Sequence, residues 1–227
     1  MNTLLITGTD TEVGKTALTT ILASYWYKHR EGKSLGLMKL LQTGKGDDEH
    51  YQSLFGHCLT WDIITPQKWQ TPVAPPIAAQ REGKAIALDL VWQTLTQLQQ
   101  THPFVLVESL GSLGSPLTAE LTVADLAGLW KLEAVLVVPV KLGAMGQAIA
   151  QVALARQTKV KLKGIILNCQ EAIAEERLED WASPSLLENF TQLPILGIIP
   201  QIPADKSQDL NTLAAIASHL DLERLGI

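Results

Sequence analysis

Short aliphatic runs alternate along this chain with longer stretches of helical period. The runs lie at 4–7, 35–39, 104–108, 134–140, 164–168 and 195–199. They are continuous and rich in Val, Ile and Leu, as parallel strands covered on both faces are. Helix-like stretches fall between them, at 16–29, 88–100, 122–130, 144–157 and 208–219. The rhythm predicts an α/β fold, with a predominantly parallel central sheet, helices on both faces and right-handed crossovers. No repeat or low-complexity tract interrupts it. A Pro-rich patch at 71–76 reads as an ordered loop, and one domain over 1–227 is expected.

Composition narrows the picture. The 227 residues are 46% hydrophobic and 18% charged, enough for one sizeable core and short for two. Disorder and collagen-like architecture are excluded. A formal net charge of −5 gives no electrostatic reason to bind nucleic acid or an anionic membrane. No apolar run reaches the roughly 18 to 20 residues that span a bilayer, and the first ten residues do not read as a signal peptide. Two cysteines, Cys58 and Cys169, cannot form a disulfide framework and fit a cytoplasmic protein.

The candidate chemistry begins at the first strand. It runs into Gly8-Thr9-Asp10-Thr11-Glu12-Val13-Gly14-Lys15-Thr16, a glycine-bounded turn that opens a helix with Gly-Lys-Thr. That is the context of a P-loop, whose backbone N–H groups cradle phosphate oxygens. Gly14 admits a close backbone approach, Lys15 would reach the β- and γ-phosphates, and the Thr16 hydroxyl would be a Mg2+ ligand. Five residues separate Gly8 from Gly14, one more than the common spacing. Glu108 ends an apolar strand beside a Gly/Ser-rich loop, where a metal-binding carboxylate is expected. Lys39 ends another strand and is placed to stabilise a transferring phosphoryl group. Asp47 or Asp48, just after it, is a further metal-ligand candidate, with helix capping as the plain reading. The turn at 141–146 leaves free N–H groups at a helix start.

The nine residues 8–16 resemble the signature of the dethiobiotin synthetase family. Further matches follow in order: Lys39, the acid after it, Val107-Glu108, Val140-Lys141-Leu142-Gly143, Asn168, and Gly197 followed by Pro200. The resemblance implies an ATP- and Mg2+-dependent ligase that joins CO2 to 7,8-diaminopelargonic acid, forming dethiobiotin, ADP and phosphate. A carbamate and a carbamic-phosphoric anhydride are the implied intermediates. It also implies a homodimer with the substrate at the subunit interface.

By position, Glu12, Val13, Gly14, Lys15, Thr16 and Ala17 would wrap the triphosphate. Thr16, Asp47 and Glu108 would hold Mg2+, Asp47 being preferred because Tyr51 then falls where the family has an apolar helical residue. Lys15, Lys39 and Thr11 would be catalytic. Thr11, Lys39 and Thr43 would touch the diamine or carbamate, with Gly143, Ala144 and Met145 of a second copy on its carboxylate. Glu108, Ser109, Leu110 and Gly111 would belong to the nucleotide site, with Asn168, Cys169, Pro200, Gln201 and Ile202 around adenine.

Two departures stand out. Lys39-Leu40-Leu41-Gln42-Thr43-Gly44 lacks the proline of the family's Lys-Pro-x-x-Ser-Gly. Glu108-Ser109-Leu110-Gly111-Ser112 replaces two glycines of Glu-Gly-Ala-Gly-Gly with serines. Where φ must be positive, a serine costs about 1 kcal/mol or more. Among the aromatics, Trp69 is expected nearest a ligand. The competing class is a P-loop ATPase switch of the partitioning or septum-placement type. Such switches carry an early lysine in the phosphate loop, where this chain has Gly8, Thr9 and Asp10. Their amphipathic C-terminal helix is also poorly matched by 210–227, which holds only Arg224 and His219 as basic groups. A small-molecule kinase is a third reading, distinguished by indifference to bicarbonate.

Overall fold

A computed structural model describes residues 2–30 and 33–227. The first strand, β1 (Asn2–Gly8), leads through the glycine-bounded turn into α1 (Lys15–His29). There follow β2 (Gly36–Lys39), β3 (Gln42–Thr43), α2 (Asp47–Phe55), β4 (Asp62–Ile64), β5 (Lys68–Trp69), α3 (Pro75–Glu82) and α4 (Leu88–Thr101). Then come β6 (Phe104–Ser112), α5 (Val123–Leu129), β7 (Glu133–Pro139), α6 (Ala144–Gln157) and β8 (Lys161–Asn168). The chain closes with α7 (Ala172–Glu176), α8 (Leu178–Ala182), α9 (Pro184–Thr191), β9 (Ile195–Ile199), α10 (Leu210–Ala217) and α11 (Leu222–Leu225).

Seven strands form one parallel sheet in the order β4-β2-β6-β1-β7-β8-β9. Strand residues alternate between its faces. Leu4 and Ile6 join α1, α2, α10 and α11 in one core, while Leu5, Val105 and Val107 join α3, α4 and α5 in another. A third core sets Leu136, Val138, Ile165 and Leu167 against α6 to α9. After β6 the chain crosses from one side of β1 to the other, so β1 stands at the switch point where open α/β sheets bind ligands.

All six expected strands are present, five of them with shifted ends and 195–199 as expected. β6 runs on through Ser112, beyond the expected 104–108, because Gly8 pairs with Ser112 past a bulge. The patch at 71–76 is a loop only as far as Ala74. Pro75 and Pro76 open α3, in the first turn where their missing N–H groups cost nothing. The short β3, β4 and β5 were not anticipated, since two or three residues carry no period, nor were α3, α7 to α9 and α11, which at four to eight residues span little more than one or two turns. Among the described residues no helix is long and apolar enough to cross a membrane.

Candidate active site

The turn after β1 is held from outside. Gly14 has φ +101, and a Cβ on it would stand 2.0 Å from Asn168 Nδ2. That amide donates to the Val13 carbonyl at 2.9 Å, tying the turn to the end of β8. Glu12 also has a positive φ, 54°, rare for a residue with a side chain. Its carbonyl accepts from Gln170 Nε2 at 2.6 Å. No side chain caps α1, so its first N–H groups remain available to an anion. Lys15 folds back and donates to the Asp10 carbonyl at 2.8 Å. Burial first, then the charge of Lys39, brings its pKa down to about 8.

Beside the turn, four elements bring four polar side chains together. Thr16 Oγ1 on α1 lies 2.9 Å from Asp47 Oδ1 on α2 and 3.0 Å from Glu108 Oε1 on β6. Lys39 Nζ lies 2.6 Å from Asp47 Oδ2 and 2.7 Å from Glu108 Oε1, and donates to the Ser109 carbonyl at 3.1 Å. Strand register causes this, because Lys39 is paired directly with Glu108 in the β2–β6 ladder. Lys39 is 5% exposed and Glu108 0%, so neither is a solvated strand-end charge. Burial acts to lower the Lys39 pKa, but Glu108 and Asp47 outweigh it and the net shift is upward. Asp47 is the mirror case: burial pushes it up, and Lys39 pulls it below its ordinary value. Each buried charge is tolerated because its counter-charge is in contact. The other oxygen of Glu108, Oε2, accepts from the hydroxyl of buried Tyr51. Burial, then the Glu108 charge, holds the phenol proton on well above its usual range.

Asp47 and Asp48 both lie in the first turn of α2, where the helix dipole favours acids. Only Asp47 faces the cluster. Asp48 turns away to Thr65 at 2.8 Å and to Lys68. Gln42 fixes that choice, accepting from the Asp48 N–H at 2.9 Å and donating to Glu49 at 2.9 Å.

These groups line a cleft of about 720 Å³. It gathers Thr11, Glu12, Gly14, Lys15, Thr16, Lys39, Thr43, Asp47, Glu108, Leu110 and Gly111 from the expected site, and adds Gln170. Its lining mixes these charged groups with the apolar side chains of Leu41, Pro72, Val73, Pro75, Leu110 and Pro116. Other expected residues lie outside it. Val13, Ser109 and Cys169 are buried, and Ala17 sits within α1. Asn168 reaches the turn from behind. Pro200, Gln201 and Ile202 follow β9, whose end pairs with Asn168. Gly143, Ala144 and Met145 begin α6 next to Leu142, which is 82% exposed. Trp69, expected near a ligand, is instead packed in the second core.

Neither Ser109 nor Ser112 has a positive φ. The position that does is Gly111, at +52°, and a Cβ there would lie 2.1 Å from Ser115 Oγ. The glycine is retained where the backbone needs it, and the two serines carry no strain. Tyr51 and Gln170 were missed as site residues. The only signal for Tyr51 was helical period, which marks a core position without saying that the core contains a carboxylate.

Among the described residues, no group of three or more His, Cys, Asp or Glu is placed to hold a metal. The Thr16 hydroxyl lies within hydrogen-bonding distance of both Asp47 and Glu108. This set of hard oxygen donors fits Mg2+, which needs only one or two carboxylates besides phosphates and water.

A parallel sheet with a glycine-closed phosphate turn between its switch-point strand and a Lys-Thr helix start defines a P-loop nucleotide-binding protein. ATP-dependent dethiobiotin synthetase BioD of Synechocystis sp. is 61% identical over 223 residues, 98% of this chain and 94% of that protein. The protein of the same name from Gloeothece citriformis is 59% identical over 225 residues, 99% of each. The chain belongs to the ATP-dependent dethiobiotin synthetase family. A family model described as an AAA domain matches residues 2–208. Among solved structures, the MinC:MinD cell division protein complex of Aquifex aeolicus aligns with TM-score 0.60 at 16% identity, over 96% of this chain and 95% of that one. A ParA family ATPase from Chlorobium tepidum gives 0.57 at 14%, over 99% and 96%. At such identities the likeness shows the fold alone.

Proposed function

We propose that this chain is a ligase that uses ATP to close a cyclic urea on 7,8-diaminopelargonic acid with CO2, yielding dethiobiotin, ADP and phosphate for biotin synthesis. The observation that carries the reading is the cleft itself, whose lining combines a phosphate turn and two lysines with apolar side chains that suit an aliphatic diamine.

Backbone N–H groups at 12–17 and Lys15 hold the triphosphate. Thr16, Asp47 and Glu108 hold Mg2+, which when bound neutralises phosphate charge. One substrate amine bonds to the carbon of CO2 and loses a proton, giving a carbamate. A carbamate oxygen attacks the γ-phosphorus, ADP leaves, and a mixed anhydride remains. The second amine attacks the anhydride carbonyl and loses a proton, phosphate departs, and the ring closes. The phosphoryl step brings two anions together. Lys15 and Lys39 offset their repulsion in a cleft where water screens poorly. Thr11 and Thr43 orient the diamine and carbamate by their hydroxyls. Adenine lies against Asn168, Cys169, Pro200, Gln201 and Ile202, at the ends of β8 and β9.

The working unit in this reading is a cytoplasmic homodimer, consistent with the free Cys58 and Cys169. The uncapped start of α6, Gly143 to Met145, would take the substrate carboxylate of the other copy. Its position outside its own chain's cleft supports this.

ADP release by purified protein with Mg2+ and ATP tests the reaction. Release is expected to need both diaminopelargonic acid and bicarbonate, with dethiobiotin detected by mass spectrometry. Release indifferent to both would indicate a nucleotide switch, and release without need of bicarbonate a small-molecule kinase.

A further inference from the structure

We propose that Tyr51 is a positioning residue that leaves Glu108 one oxygen to offer a metal, and so biases the site toward a small octahedral cation. The inference rests on the reading above that Glu108 holds the metal. The two oxygens of Glu108 have different neighbours. Oε1 lies 3.0 Å from Thr16 Oγ1 and 2.7 Å from Lys39 Nζ. Oε2 accepts the Tyr51 hydroxyl. Tyr51 is 1% exposed and packed in the core under α1 with Phe55 and Leu18, so it cannot swing aside without opening that core. In the reading above Lys39 serves the transferring phosphoryl group, and turning to it releases Oε1 to a metal. Tyr51, fixed in the core, keeps its hydrogen bond to Oε2, so Glu108 coordinates through Oε1 alone. Two-oxygen coordination by carboxylates serves Ca2+, whose shell is larger and more flexible, whereas Mg2+ demands six close octahedral ligands. Freeing Oε2 removes a constraint that penalises the larger ion.

Tyr51→Phe keeps the ring and removes only the hydroxyl. The probe is Mn2+ with ADP, read as free Mn2+ by electron paramagnetic resonance and competed with Mg2+ or Ca2+. Mg2+ affinity is expected to fall about tenfold while Ca2+ is retained, shifting the ratio toward Ca2+. Equal weakening of both cations, or an unchanged ratio, overturns the proposal and leaves Tyr51 a packing residue. Glu108→Gln separates the two levels. If it binds Mn2+ and ADP as the unaltered protein does, the metal assignment itself fails. If it loses Mn2+ while Tyr51→Phe keeps the ratio, the Tyr51 proposal fails alone. Infrared spectra of the unaltered protein, with glutamate carboxyls labelled and Mg2+ and ADP present, need no variant. A one-oxygen carboxylate splitting supports the proposal and a two-oxygen splitting overturns it.

Discussion

With a pKa near 8, the Lys15 ammonium sits close to losing its proton before any ligand arrives. In the unfolded chain the same amine keeps its ordinary value of 10.5. The sign follows from linkage. Below pH 8 both states are protonated and the folded state bears the full cost of the buried charge. That cost is relieved as pH rises from 8 to 10.5, because the folded state releases its proton first. A bound triphosphate reverses the shift by supplying negative charge. ATP binding at about pH 8 is therefore expected to take up about half a proton, falling toward zero near pH 6. Titration calorimetry in buffers of different ionisation enthalpy reads this directly, and Lys15→Ala should abolish it. The chemistry of Lys15 was legible because a phosphate turn names its lysine. Its proximity to Lys39, the second cause of the shift, was not, since that depends on how β2 and β1 sit on either side of β6.

Among the elements, the segment β1–turn–α1 could be read from sequence whole, because the motif brings its own strand and helix. Lys39 and Glu108 were legible as strand ends, though not as partners; register between β2 and β6 decides that. The choice between Asp47 and Asp48 turned on one residue of helix phase. It is made by Gln42 and Lys68, which the tiny β3–β5 pairing brings into place. The serines after Glu108 could not be judged without backbone angles. Helix packing behind the site carries its own test. Leu213 on α10 is buried in the core it shares with α1. Leu213→Ala is expected to cost about 2 to 5 kcal/mol, measured by urea unfolding. It should weaken ATP binding too, since α10 backs the helix that presents Lys15 and Thr16.

For the whole molecule, the open question is whether one copy completes the site of another. Light scattering is expected to give twice the chain mass of 24.7 kDa. Complementation is the sharper test. Lys39→Ala damages the cleft, and Gly143→Pro disrupts the start of α6, where φ is +85. Each variant alone should be nearly inactive. Mixed one to one and allowed to exchange, they should recover about a quarter of full activity, from the one intact site in each hybrid dimer. Failure to recover activity, with exchange verified, would place each site within a single chain.

The position of β1 also sets an order of events during synthesis. It is synthesised before both of its neighbours in the sheet, Phe104–Ser112 and Glu133–Pro139. The amide that braces its turn, Asn168, comes later still. Contacts so distant along the chain close slowly. The phosphate turn thus lacks its brace until β8 has been made, and ATP binding is expected to need the chain past that point. Nucleotide binding is in this sense a late certificate of folding: an interrupted chain that ends before Asn168 has the whole motif without the amide that braces it.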